Sequence, residues 1–442
     1  MNKKIIMFFK TEKIIFIISL LVAALFSSTL LKDAYISRIN TARALVEQNT
    51  FAIENVEGET TVDKILYNGH FYSSKPPLPT IAYVGIYYVL RQSTGLEFNQ
   101  IFAKIIILLT SNLSFALLLV YFYKSLIYFK IDKIHKIILT FALGFGTLLF
   151  PYSTSLFNHT PAALFVFLSF YYLLKTATPP FIKTTAGKEE KYPIFYALSG
   201  MFLSLAIATE TVQAGIFFFT FLIFIALDKK HRLNIFWFLL GSLPVGLLYV
   251  IYNLHTTGSI LPAYFNSERL YKFPGSYWSN PTDADAFNHN KLLYFFNIII
   301  GAQGIFLYTP ILIFGFWGII RAIKNKINEW QKPAWLILLT SAFIILFLTF
   351  TTNNYGGKSY GFRWFIIAYP SILFFTPLLF ENNKNNKIIG WFLFTCLISI
   401  IISFIGLPGG WSIHIQKVGE INTYFPLLDT LNVYLMDIKA QL

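Results

Sequence analysis

Long apolar runs with few charges constrain this chain most. Ile14 to Leu31 and Trp335 to Phe350 hold no charged side chain at all. A run of about 18 such residues suffices to cross the hydrocarbon core as a helix, and a helix satisfies its own backbone polar groups where no water can. Of the 442 residues, 55% are hydrophobic and 13% charged, against roughly 25% charged in soluble domains. The pattern predicts an all-α polytopic membrane protein, a single integral membrane domain over residues 1–442 with no repeat and no soluble domain. The opening "MNKKIIMFFKTEKIIFIISLLVAALFSSTLL" carries signal-peptide charge but a longer apolar core and no small-x-small cleavage site, so it reads as an uncleaved first span. The one cysteine, Cys396, excludes an intramolecular disulfide and a thiolate zinc site.

The net charge of +14 does not point to nucleic acid, because the lysines gather in short loops between apolar runs, as in multi-pass proteins. The same charges give the topology. Leu78 to Leu90 is apolar but short for a span. If it lies along the outer surface, seventeen Lys/Arg fall in inside loops and seven in outer segments beyond residue 123. If it crosses, that bias inverts. The expectation is about eleven spans with the N-terminus inside and the C-terminus outside. They fall near 14–31, 101–123, 137–152, 161–175, 194–209, 212–227, 233–252, 302–320, 333–351, 364–380 and 388–406. The large outer segments are then 32–100, with surface helices, 253–301, and a tail over 407–442.

Unusual polar chemistry lies in the outer segments. Within "LYNGHFYSSKPPLPTIAYVGIYYVL" (66–90), Lys75 precedes Pro76 and Pro77. Proline suits a helix's first turn and pushes the preceding residue to extended backbone. A helix starting there would set its N–H groups and the Lys75 ammonium around one spot, an anion site for a lipid phosphate; a snorkelling lysine is the alternative. Arg363 in "NNYGGKSYGFRW" is a second phosphate candidate, its fork suited to bidentate contact. Arg38, Tyr72 and Tyr355 stand in the same outer segments as further donor-binding candidates. Asp63 is the leading base candidate, with Asp33, Glu47 and His159 as rivals; Glu54 to Glu59 and the "DAD" at 283–285 read as solvated turns. No acidic cluster demands a metal, although a divalent ion stays open. Few ionisable residues fall within or beside the spans, Lys104 at an edge and Glu210 in a loop, which argues against the alternative of a transporter or lipid flippase.

The first outer segment, "ARALVEQNTFAI" then "DKILYNGHFYSSKPPL", resembles the GT-C glycosyltransferases of the protein mannosyltransferase-like and aminoarabinose transferase-like bacterial families. "FNHTPAALFVFLSFYYLL", "GSYW", "GAQGIFLYTPILI" and "NNYGGKSYGFRW" support it, so the resemblance covers most of the chain. It implies surface helices in the first outer loop, a polyprenyl-phosphate-linked sugar donor, an envelope acceptor, inversion at the sugar carbon, and an active site facing outward from the cytoplasmic membrane. In such enzymes a first-loop acid activates the acceptor and basic residues hold the donor phosphate, roles that would fall to Asp63, Lys75 and Arg363. Where relatives carry an acidic pair after span 1, this chain has "KDAYISR"; where many carry an Asp in the second outer loop, it has "NH". Asp33 and His159 therefore stay candidates beside Asp63.

Overall fold

The computed structural model describes residues 3–29, 33–58, 60–177, 192–229, 231–282, 285, 289–327, 329–381, 386–407, 410 and 425–441. The loop at 178–191, Asp283 and most of the tail between 411 and 424 lie outside the described residues. The chain is mostly helical. Its helices run α1 (Lys3–Leu25), α2 (Asp33–Gln48), α3 (Pro77–Thr94), α4 (Gln100–Ile107), α5 (Leu113–Ser125), α6 (Lys133–Phe145), α7 (Leu149–Ser153) and α8 (His159–Ala177). They continue as α9 (Tyr192–Ile207), α10 (Thr211–Leu227), α11 (Ile235–Thr257), α12 (Lys291–Ile299), α13 (Leu312–Lys324), α14 (Gln331–Thr351), α15 (Asn386–Ile405) and α16 (Pro426–Gln441). A π-turn, Leu108–Asn112, joins α4 to α5, and among the described residues four helical stretches are long and apolar enough to cross a membrane on their own: Gln100–Tyr128, Arg232–Thr257, Gln331–Thr351 and Lys387–Ile405.

Two expectations need correction. The chain is not purely helical: between α2 and α3 it forms a β-hairpin, β1 (Lys64–Tyr67) against β2 (His70–Ser73), antiparallel. The turn is Asn68–Gly69, both at positive φ (49° and 83°), the conformation that closes a two-residue hairpin and that Asn-Gly favours. Nor is 364–380 a regular span. Pro370 and Pro377 each remove a helical N–H, and the stretch breaks into 3₁₀ turns, Arg363–Ala368 and Thr376–Leu379, around a short helix, Tyr369–Leu373. It survives because Phe365 to Leu379 is buried in protein. On α13, Gly315 and Gly318 leave room for its backbone: a Cβ on Gly318 would come 2.2 Å from Phe375 O.

The remaining loops sort into two ends. At one, the chain after α1 bonds to the turn after α7 (Ser28 N–H to Thr154 O, 2.8 Å), and the start of α3 bonds to the end of α9 (Leu78 N–H to Ala208 O, 3.0 Å). Trp278 reaches the first segment (Nε1–H to Val62 O, 2.9 Å). At the other end Lys130 N–H donates to Glu381 (2.6 Å), and Lys124 pairs with Glu12 (3.5 Å). α3 packs on α2 through buried Tyr83 and Tyr87, while Ile81, Tyr88 and Val89 are exposed, an apolar outer face suited to lipid.

α9 and α11 approach through two glycines. A Cβ on Gly200 would lie 1.9 Å from Phe238 O, and one on Gly241 would lie 1.9 Å from Ala197 O. Small residues let membrane helices pack by van der Waals contact where no hydrophobic drive exists. Gly241→Val should force these helices apart and cost about 1–3 kcal/mol, read as a lower unfolding temperature in detergent. Gly246→Ala, which meets nothing within 4 Å, should leave that temperature in place; an unchanged midpoint for Gly241→Val would show that the glycine contact carries no packing.

Candidate active site

The hairpin creates the first half of the site. Its register pairs Lys64 with Ser73, so one step beyond the strands Ser74 N–H meets Asp63 O at 3.3 Å. Lys75 then lies beside Asp63, and its Nζ stands 2.8 Å from Asp63 Oδ1, both side chains largely buried. The base candidate and a phosphate candidate are thus one ion pair. α2 fixes the pair from below: Ser37 Oγ–H donates to Asp63 O (2.6 Å), and Ser37 and Ser73 share a hydroxyl contact (2.7 Å). α3 does begin at Pro77, with Pro76 as its cap. Its Leu78 N–H is taken by Ala208 O, so that donor is not offered to an anion.

The second half surrounds Phe157. Tyr35 of α2 meets its ring edge-on at 5.1 Å, His159 lies 5.7 Å away, and the Arg363 guanidinium sits 5.8 Å above it. Arg38 stands three residues beyond Tyr35 on α2, 2% exposed. Its Nη1 makes one long bond to Ala34 O (3.4 Å), its Nε has no hydrogen-bond partner, and among the described residues no carboxylate lies within ion-pair distance. Gly356 makes room for Arg363: at φ +96° its backbone passes so close that a Cβ would sit 2.9 Å from Arg363 Nε. His159, the first residue of α8, is buried with Nδ1 3.1 Å from Glu210 Oε2, close but out of line for a hydrogen bond. Glu210 also accepts from Asn158 Nδ2–H. Burial pushes the Glu210 carboxyl up, but His159, Arg363 and Arg38 together hold it below the ordinary carboxylate value.

Sequence reasoning set aside two acids that the structure brings in. Glu210 was weighed only as a loop residue. Asp285, read as part of a solvated turn, is half-buried: Asn354 Nδ2–H donates to Oδ1 (2.6 Å) and Tyr277 O–H to Oδ2 (3.1 Å). Burial raises its pKa, and the negative charge of Asp63 adds to the rise while the two hydrogen bonds and Arg363 oppose it. Asn354 also accepts from Gly356 and Gly357 N–H (2.6 and 2.8 Å), so one side chain links Asp285 to the turn before Arg363. Nothing local in a "DAD" marks this; Asn354 comes from 69 residues along the chain and Tyr277 from eight residues before.

Other candidates are engaged elsewhere. Asp33 opens α2 and accepts from Val62 N–H (2.9 Å), holding the approach to Asp63. Glu47 pairs with Arg43 (3.2 Å) and accepts from Tyr87 O–H, tying α2 to α3. Glu54 is no free turn residue: it receives Phe71 N–H (3.0 Å) and meets His70 (2.6 Å). Tyr72 packs in a small second core with Ile65, Leu270 and Tyr271. Tyr355 stacks on Tyr294 at 4.5 Å and bonds His289 (2.7 Å) and Asn297 (3.1 Å), bracing its loop. Among the described residues no three His, Cys, Asp or Glu group as a metal site.

No family profile matches the sequence, and no curated protein matches it. Solved structures do match. ArnT from Cupriavidus metallidurans in the apo state superposes with a TM-score of 0.55 at 12% identity, covering 98% of this chain and 69% of that one. The same protein bound to undecaprenyl phosphate gives 0.53 at 13% identity, over 98% and 70%. The chain therefore shares its fold with ArnT.

The Asp63–Lys75 contact is testable without substrate. Breaking one member of a largely buried pair leaves the other uncompensated. Asp63→Asn and Lys75→Met should each cost about 1–3 kcal/mol, and the double variant less than their sum. Unfolding temperatures in detergent give the cycle; strictly additive losses would show that the pair is uncoupled.

Proposed function

We propose that this chain is a glycosyltransferase that moves a sugar from a polyprenyl-phosphate carrier to an envelope acceptor, with inversion, at the outer face of the cytoplasmic membrane. The observation that carries it is Arg38, a guanidinium 2% exposed with no ion-pair partner among the described residues. Burying such a charge without an ion-pair partner costs several kcal/mol. A phosphate between Arg38 and Arg363 would offset that cost with charge-assisted bonds. The fold shared with ArnT, solved with undecaprenyl phosphate bound, supports a polyprenyl-phosphate lipid as the source of that phosphate.

In this scheme Arg38, Arg363 and Lys75 hold the donor phosphate. The Lys75 ammonium has three protons, so it serves Asp63 and a phosphate oxygen together. Asp63 keeps its second oxygen for the acceptor's proton. As the acceptor hydroxyl or amine attacks the sugar carbon, that proton passes to Asp63 and the carrier phosphate departs on the opposite side. His159 orients the Phe157 segment between the arginines. Asp33, Tyr72 and Tyr355 act through the scaffold and not on the donor.

Undecaprenyl phosphate should bind the wild-type protein in nanodiscs, and Arg38→Met, Arg363→Met and Lys75→Met should each weaken it roughly ten- to a hundredfold. Asp63→Asn should leave that affinity nearly intact while transfer falls by about 10²–10⁴. The acceptor for the transfer assay comes from comparing surface glycans and lipids of a deletion strain with its parent by mass spectrometry. Normal lipid affinity in all three cation variants would remove the phosphate role. Orientation has its own test. In a Cys396→Ser background, Arg91→Cys should react with an impermeant thiol reagent on intact cells and Lys130→Cys should not; the opposite result would invert the topology.

A further inference from the structure

Glu210 takes no part in the transfer step, yet its carboxylate lies within electrostatic reach of both arginines. It is 3.1 Å from His159, which is 5.7 Å from Phe157, on whose face Arg363 sits. Arg38 and Arg363 both act on its charge. At the same end Lys75 pairs with Asp63, and Asp285 feels the charges of Asp63 and Arg363. A site selected only to grip an anion would carry no largely buried carboxylate within reach of its guanidiniums, because like charge weakens anion binding in proportion to proximity and low dielectric. The carboxylate is held in place: Asn158 donates to it, and its own N–H is bonded to Ala206 O (2.7 Å).

We infer that Glu210 sets the charge the site tolerates, retaining the singly charged phosphodiester of the donor and expelling the phosphomonoester left after transfer. This rests on the glycosyltransferase proposal. In the transfer the acceptor's oxygen or nitrogen bonds to the sugar carbon, and the bond from that carbon to the phosphate oxygen breaks. The electron pair stays on that oxygen and the acceptor's proton goes to Asp63. The phosphate thereby gains a negative charge, and with a second pKa near 6 it keeps most of that charge at pH 8. Arginine cannot adjust its own charge, so the added negative charge meets Glu210. Product release is driven by the same step that makes the product.

The experiment compares two probes on the full-length protein in nanodiscs: undecaprenyl phosphate, and its monomethyl ester as a singly charged diester. At pH 8 the wild type should bind the ester more tightly, and the preference should shrink toward pH 5.5 as the monoester takes up a proton. Glu210→Gln should raise monoester affinity at pH 8 roughly tenfold, with a smaller gain for the ester, and so reverse the order. Glu210→Asp should keep the wild-type order. A wild type that binds the monoester more tightly at pH 8 overturns the inference, and this result needs no variant to fold. So does a Gln variant that weakens both lipids equally, the mark of a structural role. If neither lipid binds the wild type, the polyprenyl-phosphate proposal itself fails, an outcome distinct from binding without the expected order.

Discussion

The Lys75–Asp63 ion pair is the contact on which the site end of this protein depends. Neither side chain would reach the other from an open loop. The Asn68–Gly69 turn sets the hairpin register, the register brings the two ends of the hairpin together, and Ser37 of α2 clamps the Asp63 backbone from below. The proline pair then turns the chain into α3, whose first turn is secured on Ala208. A base candidate and a cation thus sit in fixed relation before any ligand arrives, the kind of preorganisation on which electrostatic catalysis relies.

The opposite wall is built by a different device. The segment 364–380 is no continuous helix, being broken around Pro370 and Pro377, yet it lies in the core. Protein on all sides and the α13 glycines make this affordable where lipid would not. The gain is position: the 3₁₀ turn starting at Arg363 places the guanidinium over Phe157, and the Gly356 turn and Asn354 fix its approach. Asn354 and Tyr277 also hold Asp285, and Trp278 bonds to Val62 beside Asp63, so three loop segments are knitted across the mouth of one candidate site.

Much of the helical framework was legible in the sequence, because burial in lipid requires apolar length and the loops carry their charge openly. The Lys-Pro-Pro helix start was legible too, since proline's effect on its neighbours is local. The hairpin was overlooked although Asn68–Gly69 announces it; the apolar context of a membrane chain drew attention to helices. Glu210 and Asp285 had no local mark. Their significance is a matter of partners, His159 and Asn158 for one, Asn354 and Tyr277 for the other, and all but Tyr277 are supplied by other segments.

The sequence by itself determined that this chain is a polytopic helical membrane protein with its polar chemistry in particular loops, because hydropathy and helix-starting residues act over one span or one turn. Only the tertiary structure decided that Asp63 is paired with Lys75, that Arg38 is buried with no carboxylate at ion-pair distance among the described residues while Tyr72 and Tyr355 brace other segments, and that Glu210 lies within electrostatic reach of both arginines. Those are properties of charge meeting charge across the fold, and electrostatic interaction depends on distance in space, which separation along the chain does not encode.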